Sequence, residues 1–124
     1  MLSDISTYLK NQGVGTPGTD MFLGLMPDEP DNCIALFEYA GSPPDLHWNG
    51  EYPGLQVRVR NKSYAAARTK IGEVMDKLHG LHEQTLSGTR YLLIKARGSP
   101  EVLKRDNNNR VELFVNFEII KESD

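Results

Sequence analysis

The sequence predicts an α+β domain, an antiparallel or mixed sheet of about four to five strands with two helices packed on one face. Three observations carry this expectation. Leu55-Gln-Val-Arg-Val-Arg60 alternates strictly, as a half-buried strand does. Tyr64 to His79 repeats apolar residues at helical spacing. Thr89–Ala96 and Val111–Ile120 are apolar runs joined by a long polar connection, as in an antiparallel hairpin.

The elements follow in order. Leu2, Ile5, Tyr8 and Leu9 recur at helical spacing, with Ser3 and Asp4 suited to the helix start and Gly13 and Gly15 to its end. Asp20–Met26 is a short apolar run closed by Pro27, and reads as a first strand. Pro27–Asn32 is turn material. Cys33–Ala40, apolar on both faces apart from Glu38, reads as a central strand. Gly41–Gly54 is too rich in Gly and Pro for regular structure, and reads as a loop carrying Leu46, Trp48 and Tyr52. Ser63 is the expected cap of the main helix, whose stripe is Tyr64, Ala67, Ile71, Val74, Met75 and Leu78. Gly72 costs that helix about 1 kcal/mol relative to Ala, which close packing against the sheet would explain. The connection Gly98–Arg110 is expected to be an exposed polar loop.

The 124 residues form one expected domain, 1–124, with 39% hydrophobic and 25% charged residues. A formal charge of −3 leaves no basic footprint for specific nucleic-acid binding. No apolar run approaches the roughly 20 residues that cross a bilayer, so no membrane partner is expected. Met-Leu-Ser-Asp begins no secretory signal, and one cysteine, Cys33, fits a chain made in a reducing cytoplasm.

Reaction chemistry finds little support. His79 and His82 lack a third ligand, so no metal site is expected. Asp28, Glu29 and Asp31 do not follow the spacing of a calcium loop. Cys33 and His47 could pair as nucleophile and base, but Cys33 falls in a buried strand. Gly13-Val-Gly-Thr-Pro-Gly18 follows a helix and lacks the lysine of a phosphate loop. We therefore expect no enzyme, no catalytic residue and no cofactor, and name Trp48, Arg58, Arg60, Arg105, Asp106 and Arg110 as interface candidates. Trp48 has two readings, a cap folded onto the core or an exposed contact aromatic.

With these residues laid out, the chain resembles the tail-terminator proteins of long-tailed bacteriophages, the group also called phage minor capsid protein. The resemblance rests on the first helix ending in glycines, Met26-Pro27-Asp28 with Pro30-Asp31-Asn32, and Gly41-Ser-Pro-Pro-Asp45. It continues through Gly54-Leu-Gln-Val-Arg-Val-Arg60, Ser63-Tyr-Ala-Ala-Ala67, Tyr91-Leu-Leu-Ile94, Pro100, Arg105-Asp106, Arg110 and Val115-Asn-Phe117. It implies a virion structural protein without catalytic residues. Such a protein forms a ring, usually a hexamer of itself, on the last ring of the tail tube. The implied partners are the major tail tube protein and the head–tail connector proteins, and the implied location is the tail–neck junction of the virion, after assembly in the host cytoplasm. Two alternatives stay open: another head–tail connector component, or a small α+β ligand-binding domain or enzyme built on the Asp45–His47–Tyr52 loop.

Overall fold

A computed structural model describes residues 1–123. Helix α1 (Leu2–Asn11) is followed by strands β1 (Met21–Leu23), β2 (Cys33–Ser42) and β3 (Gly50–Asn61), then helix α2 (Tyr64–Leu78). Strands β4 (Leu81–Leu86), β5 (Thr89–Ala96), β6 (Glu101–Arg105) and β7 (Val111–Glu122) complete the chain. The sheet is mixed, in the order β1-β2-β3-β7-β5-β4, with β1 parallel to β2 and the remaining pairs antiparallel. The α+β class stands, but the sheet has seven strands, more than the four to five expected.

Two strands absent from the expectation, β4 and β6, account for the difference, and a third segment lengthens strands that were expected. Half of the Gly- and Pro-rich stretch 41–54 is ladder: β2 runs on to Ser42 and β3 starts at Gly50, leaving seven tip residues, 43–49, between them. Its glycines sit where neighbouring atoms leave no room for a side chain: an added Cβ would meet the Tyr52 carbonyl oxygen at Gly41, the Trp48 ring at Gly50 and the Tyr39 ring, at 2.4 Å, at Gly54. β4, with the polar sequence Leu-His-Glu-Gln-Thr-Leu, carries no apolar alternation and reads as nothing in particular. β6 lies inside the supposed polar loop. β5 and β6 occupy successive stretches of one edge of β7, Ala96 opposite Phe117 and Glu101 opposite Phe114. The expected hairpin therefore exists, with a bulge at 97–100 and a true turn only at 106–110. Met26, read as strand, lies beyond β1.

Both helices cover one face. Val57 lies between Leu36 and Val115, and Val59 between Ile34 and Leu113, so β2, β3 and β7 present aligned apolar rows. Ile5 and Leu9 of α1 and Ala67, Ile71, Val74 and Leu78 of α2 pack onto these rows in one buried cluster. Helix α1 begins at Leu2 with Met1 in the cap position, so Ser3 and Asp4 fall in its first turn and neither caps it. Asp4 is instead used across the fold, its Oδ2 accepting the Tyr91 hydroxyl at 2.7 Å. Ser63 caps α2 as expected, accepting the Ala66 N–H, and Gly80 (φ +82°) turns the chain into β4.

Gly72 contradicts its expectation. A Cβ added there meets nothing within 4 Å, so sheet packing does not require glycine. Gly72→Ala should therefore stabilise the protein by about 0.5–1 kcal/mol through helix propensity and reduced unfolded-state freedom. Chemical denaturation checks this, and an unchanged midpoint would refute it.

Candidate protein-protein interface

The β2–β3 tip is short and locally knit. Asp45 accepts the His47 N–H at 2.8 Å and the Tyr52 hydroxyl at 2.7 Å, and Tyr52 in turn accepts the Trp48 indole N–H at 3.2 Å. The Asp45 N–H donates to the Gly50 carbonyl, and the Ser123 N–H to that of Asn49. The His47 amide and Tyr52 hydroxyl hold the Asp45 carboxyl below its usual range, while the carboxylate pushes the Tyr52 hydroxyl up. Asp45 and Tyr52 thus tie the loop together, and His47 contributes its backbone. Trp48 does not cap the core. Its ring covers Gly50, where an added Cβ would lie 2.2 Å from it, and the side chain remains 38% exposed. Leu46 projects beyond it, 93% exposed, next to Pro43 and Pro44. The tip is a rigid loop with an apolar outer surface.

The helix-free face of the sheet is polar and crossed by the chain. Residues 25–32, between β1 and β2, lie across the ends of β3 and β7. Arg60, only 4% exposed, holds them by donating to the carbonyls of Pro27, Asp28, Pro30 and Asp31. Arg110, 3% exposed, donates to the Asp28 carbonyl and carboxylate, to Asp31 at 3.3 Å and to Asp106 at 2.8 Å. Asp106 also accepts the Asn108 and Arg110 N–H groups and so builds the 106–110 turn, with Asn109 at φ +60°. The connection expected to be an exposed loop is therefore anchored at its end. Arg105, by contrast, is exposed, with only Asn109 as partner among the described residues.

The Asp106 turn makes a pH prediction. Desolvation pushes the Asp106 carboxyl up, but hydrogen bonds from Arg110 and Asn108 outweigh it, and the net shift is down. A carboxyl lowered in the folded state stabilises it fully above the ordinary carboxylate range, and that contribution is lost as pH falls through the lowered value. Amide protection at Asn108 and Arg110 should therefore hold at neutral pH and fall below about pH 4. Protection that persists unchanged to pH 2 would show that the carboxylate does not hold the turn.

The remaining sequence candidates do not converge. His79 Nδ1 accepts the Ala96 N–H, and His82 Nδ1 lies 3.0 Å from the Gly80 carbonyl, so each is engaged with backbone. Asp28 and Asp31 face Arg110. Cys33 is buried, which pushes its thiol up, away from nucleophile chemistry. Among the described residues no three His, Cys, Asp or Glu side chains are placed to hold a metal ion. No helix there is long and apolar enough to cross a membrane. The groups that support Arg58, namely Phe37, Gln56 and Asn116, sit on three different strands. Sequence pattern flagged only the Gln56–Arg58 alternation among them.

Fold and surface define a small α+β domain whose distinctive features are a projecting apolar tip and an arginine-rich sheet face. The chain belongs to the bacteriophage tail terminator protein family, matched over residues 8–123. It is a phage virion structural protein by that membership. A similar solved structure is a chain from the virion of a native gene transfer agent particle. The two share 18% identity with a TM-score of 0.67, over 86% of this chain and 81% of that one, a likeness of fold. No protein of curated function matches the sequence.

Proposed function

We propose that this protein ends the phage tail: a closed ring, of six copies as is usual in the family, binds the last ring of the tail tube. There it stops tube polymerisation and presents the surface to which the head joins. The partners are a second copy of the chain, the major tail tube protein and the head–tail connector proteins. The observation that carries this reading is the tip at 43–49. Large apolar groups stand in water on a loop rigidified by Asp45, Tyr52 and Trp48, and a monomer has no use for that arrangement. Rigid aromatic and aliphatic projections are the residues that dominate protein interfaces. A ring also fits a chain whose copies must offer one another two different surfaces, since heterologous contacts close when the rotation closes.

Electron microscopy of the purified protein mixed with tail tubes tests the reading. Density capping one end of each tube, and tubes that no longer extend, are expected. Binding to heads but not to tubes would assign the chain to another connector position. A strict monomer that binds neither would refute the proposal.

A further inference from the structure

Arg58 differs from the other cations of the helix-free face. It lines a groove of about 440 Å3 together with Arg60, Lys104 and Arg110 and the carboxylates of Asp28, Asp106 and Glu112. Within the chain, Arg60 is satisfied by four carbonyls, Arg110 by three aspartates, and Lys104 by Glu112 at 3.7 Å. Arg58 is held but not satisfied. Its Nε donates to Gln56 Oε1 at 2.6 Å, Gln56 donates to Asn116 Oδ1 at 3.0 Å, and the guanidinium carbon lies 4.5 Å from the centroid of the Phe37 ring. Among the described residues nothing accepts a hydrogen bond from its two terminal nitrogens.

A guanidinium stacked on a ring and tied at Nε has already lost much of its rotamer freedom, so binding through its terminal nitrogens orders little more. That edge of the fork matches the two oxygens of a planar carboxylate. The three carboxylates of the groove are directed at other cations, and they oppose a chain of repeated phosphates while leaving room for one anionic group.

We propose that Arg58 anchors a carboxylate-binding site, in which its two η nitrogens take a single aspartate or glutamate side chain projecting from a partner protein. The assignment of that partner to the virion rests on the function proposed above; the site itself does not.

The test follows the Arg58 Nε–Hε resonance by NMR in the full chain, at fixed ionic strength. The probes are N-acetylglutamate amide, its neutral glutamine counterpart, and a short single-stranded DNA. The glutamate probe is expected to shift Arg58 with an apparent affinity at least about tenfold above that at exposed Arg105, and the glutamine probe to leave it unmoved. Equal responses to both probes, equal responses at Arg105, or tighter binding of the DNA would each overturn the assignment. Arg58→Gln should abolish the site and Arg58→Lys weaken it about tenfold, because an ammonium lacks the fork. A second arm measures tube capping and head joining by the same variants. Loss with Arg58→Gln and partial recovery with Arg58→Lys support a partner carboxylate, whereas unimpaired assembly by Arg58→Gln removes the virion role. Glutamate binding by a wild-type chain that never caps tubes would leave the site standing and refute the tail-terminator reading, so the two failures are separable.

Discussion

Arg60→Met should lower the stability of the folded chain by about 3 kcal/mol, measured as a shift of the denaturant midpoint at constant slope. The substitution keeps the aliphatic stem against the sheet and removes only the guanidinium. Four carbonyls, those of Pro27, Asp28, Pro30 and Asp31, then lose a charged donor whose own side chain is buried, and only that of Asp28 keeps a second one, from Arg110. Each hydrogen bond to a charged group is worth roughly 1.5–3 kcal/mol, but four made by one side chain are not additive. Some carbonyls will also find water once the segment loosens, which brings the total down to the figure given. The 25–32 segment should meanwhile become more accessible to protease. A midpoint shift below about 1 kcal/mol would mean that water replaces the guanidinium freely, and that Arg60 is not what holds this segment.

Leu46→Asp should reduce tube capping at least about thirtyfold, the effect of removing one dominant apolar contact of about 2 kcal/mol. The melting temperature should not change, because the side chain is already in water in the free protein. Trp48→Ala is expected to show a comparable binding defect. Its effect on stability should be small, since the indole contributes one hydrogen bond to Tyr52 and lies outside the buried cluster. Gly50→Ala makes a useful third variant, because its methyl displaces the Trp48 ring without removing it. Normal capping by all three would show that the tip is not the contact surface. Capping lost together with a large fall in melting temperature would show instead that the tip is structural.

The legible parts of this fold were those with a periodic apolar signal. The alternation of Leu55–Arg60, the stripe of α2 with its Ser63 cap, and the runs at 89–96 and 111–120 all correspond to elements. The class, the helices on one face and the final hairpin follow from them. β4 and β6 were illegible because they are edge segments, exposed along nearly their whole length, and so carry no buried face to impose a pattern. The 41–54 stretch misled for a different reason. Gly54 is needed to admit the Tyr39 ring and Gly50 to admit Trp48, so glycines that signal a loop serve a strand. Among the surface candidates, charge was readable and destination was not. Arg58 and Arg60 are two residues apart on one strand face, yet the first keeps free donors and the second is consumed by a segment some thirty residues earlier. Only the path of that segment across the sheet decides between them, and nothing local to either arginine records it.

The position of β7 bears on how a nascent chain reaches this structure. β7 is the last in chain order of the described strands, yet it lies between β3 and β5 and pairs with both. Until residue 111 is made, the first three strands and the β4–β5 hairpin are two separate half-sheets, each with an open inner edge and an apolar face that only the missing strand can join. The pairing that closes them spans some sixty residues, as in the Gln56–Asn116 contact. Closing so distant a contact is entropically slow, and the unpaired inner edges are adhesive while they wait. Folding of this chain is accordingly gated by the pairing of β7 with both half-sheets, and a chain shortened before Val111 should accumulate as aggregate.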